Sequence, residues 1–382
     1  MEIFFITIYL FVLKKIFDSE KWGFLKFAQF AHIFILLLGS IVLFFLRDYI
    51  DPISAGGHSF SGLIPFMEDQ AGYLVYTTQP YSQWDWSQHY IKISWLISNF
   101  SIFDPVFSLR LFNFLLHLGV VFFAYKTLEL FELKTQSLRI AGYIIAFMPS
   151  FLIFDFYIMR DMLIILSFSA SIWALASINY RGISIVNVAA IIFCLLLIFQ
   201  MKPGIILPLL LILLSYVTSN KIGTLVFILA LMIISTFSVN FRLDILFSEG
   251  MRILQMLLNK FTISEIFIGL IKGLFSINFI NMSHELLPHL IKRLVIFDSL
   301  LVPILYFLAI LRLNKSEYKF FLGAIFFGYV GFILLYLGLE PDYSISYRVQ
   351  LPFVYSAVLT IFVVFEKKIL FLHNKFAKGF IC

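Results

Sequence analysis

The sequence predicts an all-α protein: a polytopic bundle of transmembrane helices with about eleven spans and two long outer loops containing interfacial helices. Three observations lead there. Hydrophobic residues make up 61% of the 382 positions, against roughly 45–50% in an average soluble domain even with glycine counted. Charged residues are only 13%, about half the usual share. The 48 phenylalanines and long Ile/Leu runs fall into stretches close to the roughly 17–25 residues that cross a bilayer as a helix. Inside lipid the backbone must satisfy its own hydrogen bonds, which leaves helix as the open-chain solution.

The expected spans cover about 2–17, 27–46, 107–125, 140–158, 161–179, 184–200, 203–220, 222–240, 298–312, 319–338 and 350–366. The first is interrupted by Lys14 and Lys15 and lacks the positive leader and small-residue cleavage site of a secretory signal, so it reads as a short retained helix. If it lies along the surface, the span count falls to ten. With the amino terminus outside, Lys14, Lys15, Lys21, Lys26, Lys126, Lys134, Arg139, Arg181, Lys221, Arg312, Lys315, Lys319 and the tail lysines all fall on the inner side, as the positive-inside rule asks. The chain then reads as one integral-membrane domain over 1–382, with outer loops at about 47–106 and 241–297. Within them, Gln88 to Phe100 and Leu246 to Gly273 are amphipathic and are expected to lie in the interface plane.

Several functions drop out on composition and motif. Cys194 and Cys382 have no disulfide-framework or metal-ligand spacing. The Walker lysine, dinucleotide glycine, zinc-protease and serine-elbow signatures are all missing. The formal charge of +6 reflects basic inner loops and implies no nucleic-acid partner.

Polar groups that a charge-poor chain retains are the site candidates. The first outer loop gathers acids and aromatics, and in Glu68-Asp69-Gln70-Ala71-Gly72-Tyr73 a helical segment would put Asp69 and Tyr73 on one face. A carboxylate such as Asp69, or Glu68 beside it, suits proton transfer at a hydroxyl, and rings such as Tyr73 suit sugar faces. Arg160-Asp161 forms a turn of almost no length with Asp155 just before it, and a guanidinium there suits a phosphate. Lys202, Arg293 and Arg348 come from separate segments assigned to the same outer face and would make it anion-attracting. Arg110, Asn113 and His117, spaced by three and four, mark one polar helical face, which serves either an internal network or a substrate-lining wall. His284 and His289 are too loosely spaced to argue for metal.

This order of features resembles two groups of bacterial membrane proteins that handle polyprenyl-linked sugars. By topology over the whole chain, with Arg160, Arg348 and Arg293 as candidate arginines, it resembles the O-antigen and capsule repeat-unit polymerases. Over about residues 47–180 it resembles the dolichyl-phosphate-mannose and aminoarabinose type of integral-membrane glycosyltransferase. That likeness is carried by Glu68-Asp69 with Tyr73, Arg110-Leu111-Phe112-Asn113, and Pro149 followed by Arg160-Asp161. The second group implies Asp69 in the acidic catalytic position and Arg160 at the phosphate. A second outer-loop acidic motif and a carboxy-terminal extramembrane domain are not evident, and this favours the polymerase.

The resulting expectation is a surface-polysaccharide enzyme of the bacterial cytoplasmic (inner) membrane, multi-pass, that polymerises or transfers sugars from polyprenyl-(di)phosphate donors on the outer face. The alternative is a single-sugar transferase; a flippase ranks behind both, since the spans lack charges and inverted repeats. No tightly bound cofactor is expected, and a divalent metal is left possible without sequence support. Expected partners are the lipid-linked saccharide, membrane lipid and other polysaccharide-assembly proteins.

Overall fold

The structure, a computed structural model, describes residues 1–16, 23–46, 52–55, 57–60, 63, 72–75, 89–102, 104–158, 160–201, 304 and 347–379. The chain divides into two compact units, Met1–Leu166 and Ser167–Cys382.

In the first unit α1 (Glu2–Ile16) and α2 (Gly23–Phe45) are followed by a hairpin of β1 (Ile53–Ala55) and β2 (His58–Phe60). The strands pair antiparallel with Ile53 opposite Phe60 and Ala55 opposite His58. Between them Gly57 has a φ of +81°, a conformation that costs glycine little. This departs from the all-α expectation. Next come α3 (His89–Asn99), α4 (Pro105–Leu130), α5 (Thr135–Ala146) and α6 (Pro149–Phe156).

α4 is the hub of this unit, because α1, α2, α3, α5 and α6 all pack on it. Its start follows from local chemistry. Pro105 opens the helix without wasting a donor, and the Asp104 carboxylate accepts from the backbone N–H of Val106 at 3.4 Å and of Phe107 at 3.1 Å. Glu2 fastens α1 to the approach of α4 by accepting from Ser101 Oγ at 2.8 Å and from the Ile102 N–H at 3.0 Å. On α3, Tyr90, Ile91, Ser94 and Ile97 turn inward at helical spacing while Leu96 is exposed, so the stretch expected to be amphipathic is a helix with one apolar face covered.

α2 shows an inverted pattern. Its inward face is Leu25, Ala28, Gln29, His32, Leu36 and Ser40, whereas Phe27, Phe30, Phe34, Leu38 and Phe45 are exposed. A water-facing helix would present the polar side chains outward; here they are inside and the large apolar ones outside, as a lipid-facing helix requires.

The eleven-span expectation is overturned. Among the described residues, three helices are long and apolar enough to cross a membrane: Leu25–Phe45, Pro105–Leu130 and Asp161–Arg181. A fourth is reached only if α5 and α6, bent by 42° at their break, count as one span. Proline explains that break. Pro149 cannot donate and forces Met148 out of the helical region, to ψ 121°, so the apolar run 140–158 becomes helices of 12 and 8 residues. The stretches 2–17 and 184–200 form helices of only 15 and 17 residues, about 22–26 Å against a hydrocarbon core of about 30 Å. Apolar composition by itself does not separate a helix buried in protein from one that spans lipid. Expected spans at 203–220, 222–240, 298–312 and 319–338 lie outside the described residues, as does the amphipathic stretch from Leu246 to Gly273.

α7 (Asp161–Arg181) begins in the first unit and continues into the second, with an acid in its first turn and a base in its last, both matching the helix dipole. It stops at Gly182, φ +83°. In the second unit α8 (Ile185–Met201) starts with the Asn187 N–H donating to Ser184 Oγ at 3.2 Å, and the Asn187 amide donates to Ser177 Oγ at 3.0 Å. α9 (Tyr347–Gly379) contains Pro352 and kinks at Phe365, and its Phe353 ring meets Phe168 of α7 at 5.6 Å.

Candidate metal centre

Three helices of the first unit meet at His32 of α2, His117 of α4 and Asp155 of α6, each fully buried. Asp155 Oδ2 lies 2.5 Å from His117 Nδ1 and 3.2 Å from His32 Nε2. The imidazoles stand edge to face, with ring centroids 4.5 Å apart. Phe114 and Phe147 wall the His32 ring and Phe151 walls that of His117, so the polar core is lined by aromatic surface. Among the described residues, these three offer ligand atoms all within 4.8 Å of one another, a set a divalent cation could take.

The polar stripe of α4 positions the third member. His117 Nε2 lies 3.1 Å from the Ile145 carbonyl, which orients the ring from the last turn of α5. One turn earlier, the Asn113 amide donates to the Tyr157 carbonyl at 2.7 Å, and Arg110 Nε donates to the Phe156 carbonyl at 3.0 Å. These carbonyls belong to the end of α6, where a helix leaves its last acceptors without internal partners. Arg110, Asn113 and His117 thus hold one short helix and aim Asp155 at the histidines. On the α2 side, the Tyr9 hydroxyl lies 3.0 Å from the Gln29 carbonyl and 3.1 Å from Gln29 Oε1, one turn before His32. Burial, reinforced by the Asp155 charge, holds Tyr9 protonated far above the ordinary tyrosine range.

Four buried polar atoms in and around the cluster have no hydrogen-bond partner: Asp155 Oδ1, His32 Nδ1, Asn113 Oδ1 and Gln29 Nε2. Such orphans are costly, and they mark the cluster as more than a packing solution. The network is a candidate catalytic and metal-coordinating centre.

The sequence candidates fare unevenly. Arg110 sits beside the cluster, with Asn113 and His117, while Arg160 precedes α7, half-buried, its Nε without a hydrogen-bond partner. Tyr73 is buried against Tyr90, ring centroids 4.9 Å apart, and burial together with Tyr73 and Asp161 raises the Tyr90 hydroxyl above its ordinary range. Arg348 lies in the first turn of α9, in the other unit. Glu68, Asp69, Lys202, Arg293, His284 and His289 lie outside the described residues. Sequence reasoning passed over His32. The available signal was an imidazole and a carboxamide one turn apart, Gln29 and His32, inside an apolar run; ionisable groups there are costly and mark function.

No family model, curated protein or solved structure matches the chain. The resemblance to repeat-unit polymerases and their relatives is therefore not upheld. The likeness to the polymerases rested on many spans over the whole chain, and the described residues hold three, or four with the bent pair.

Proposed function

We propose that the chain is a membrane-associated enzyme that transfers a single sugar from a polyprenyl-phosphate-linked donor, with His32, His117 and Asp155 as its reactive centre. The observation carrying this reading is an ionisable trio buried between helices two of which, α2 and α4, have the length and composition to span a membrane. Groups of this kind are expensive in such a place and are retained for chemistry. The apolar outer face of α2 supports a membrane setting, the medium in which a lipid-tailed substrate is presented. Repeat-unit polymerisation, which called for the many-spanned topology, is dropped.

In this reading an acceptor hydroxyl attacks the anomeric carbon, its proton passes to a carboxylate or imidazole, and the anomeric C–O bond breaks with its electron pair going to the phosphate. Positive charge at the leaving phosphate speeds the step. Arg160 is proposed for that contact, Arg110 and Tyr73 for the sugar, and Asp69 and Glu68 as further acid/base groups. The proposed location is a bacterial cytoplasmic membrane, with lipid-linked saccharide as partner.

The test is transfer from a radiolabelled polyprenyl-phosphate sugar in membranes containing the full chain. One sugar added per acceptor, reduced about 100-fold or more in Asp155→Asn at matched abundance, is the expected result. A ladder of repeats, or normal transfer in the variant, would reject the reading.

A further inference from the structure

We infer that His32, His117 and Asp155 bind a divalent transition metal of the zinc class, leaving a coordination position open. The inference rests on the reading of this cluster as the reactive centre and names what that centre holds. The convergence of the three donors carries it. His117 Nε2 faces the Ile145 carbonyl at 3.1 Å, an oxygen that only accepts, so an N–H sits there. That leaves Nδ1 turned to Asp155 Oδ2 at 2.5 Å. The ligand atoms of all three side chains lie within 4.8 Å of one another. His32 Nε2 approaches the same oxygen at 3.2 Å, while Asp155 Oδ1 has no partner. A single proton can bridge one of these contacts; a cation can bridge all three donors at once.

The donor chemistry selects the ion. Two imidazoles and one carboxylate suit zinc and its neighbours cobalt and iron(II), whereas magnesium and calcium prefer oxygen alone. A tetrahedral zinc with bonds of about 2.0–2.1 Å holds its donors roughly 3.3 Å apart. The His32–Asp155 spacing is already 3.2 Å, and the His117–Asp155 contact would open by about 0.8 Å. The Ile145 carbonyl on the far nitrogen of His117 is the kind of outer partner that fixes a metal-binding imidazole. Three protein ligands leave a fourth position for water or substrate. Buried and unpartnered, Asn113 Oδ1 and Gln29 Nε2 lie within a helical turn of ligands and could bond such a water.

The test uses the full chain purified in detergent, stripped of metal and titrated with cobalt(II). Expected are one equivalent bound, visible ligand-field bands of a four-coordinate site, and displacement by zinc but not by magnesium or calcium. Asp155→Asn and His117→Ala should each weaken cobalt binding by more than the about 10–100-fold that loss of an outer partner costs. Should either variant fail to fold, X-ray absorption of the zinc-loaded wild type decides without it, by showing or not showing two imidazoles and a carboxylate oxygen. Absence of stoichiometric cobalt or zinc, or preference for magnesium, overturns the inference. Stoichiometric metal without sugar transfer upholds it and rejects the transferase reading; transfer by a chain that retains no metal does the reverse.

Discussion

At the scale of single residues, Asn113 shows how a side chain with no charge can govern a charged one. Its amide is the 2.7 Å donor to the Tyr157 carbonyl at the end of α6, two residues beyond Asp155. Asn113→Ala leaves that buried carbonyl without this donor, which costs about 1–3 kcal/mol. Thermal unfolding of the purified chain in detergent should show the loss as a lowered midpoint; an unchanged midpoint would mean that α6 is held by other contacts. Part of this was legible in advance. The three- and four-residue spacing of Arg110, Asn113 and His117 already marked one polar face of α4. The partner of that face was not legible, because His32 and Asp155 lie 123 positions apart, and no local pattern in the sequence links residues at that distance.

Between elements, close approach depends on glycines of α2 and α5. A Cβ on Gly39 of α2 would lie 2.5 Å from Cζ of Phe156 at the end of α6, and one on Gly142 of α5 would lie 2.8 Å from Leu25 of α2. Small residues at such crossings let lipid-embedded helices meet backbone to backbone. Gly39→Val should therefore cost about 1–3 kcal/mol through overpacking, and Phe156→Ala in the same chain should recover part of it. Chemical unfolding of the single and double variants checks this, and equal stability of Gly39→Val and wild type would contradict the packing. Among the elements, the start of α4 was the most legible, since Asp104-Pro105 carries both a cap and a helix-opening proline. The break at Pro149 was equally written in local chemistry. It was masked by an apolar run that read as one continuous span.

At the scale of the molecule, composition correctly pointed to helices with membrane-spanning character but overcounted them among the described residues, because a run of apolar residues is the same whether protein or lipid covers it. The orientation of α2, polar side inward and phenylalanines outward, separates the two cases, and it is visible only once neighbours are in place. The polar centre and the apolar exterior together make one claim: chemistry at His32, His117 and Asp155 on a lipid-tailed substrate. The most direct measurement is sugar transfer by the full chain after chelator treatment and zinc add-back, in wild type and in Asp155→Asn. Transfer should fall by about 100-fold or more on metal removal, return with zinc in the wild type, and stay low in the variant. Undiminished transfer by the metal-free protein, or zinc-restored transfer in Asp155→Asn at the wild-type level, would contradict it.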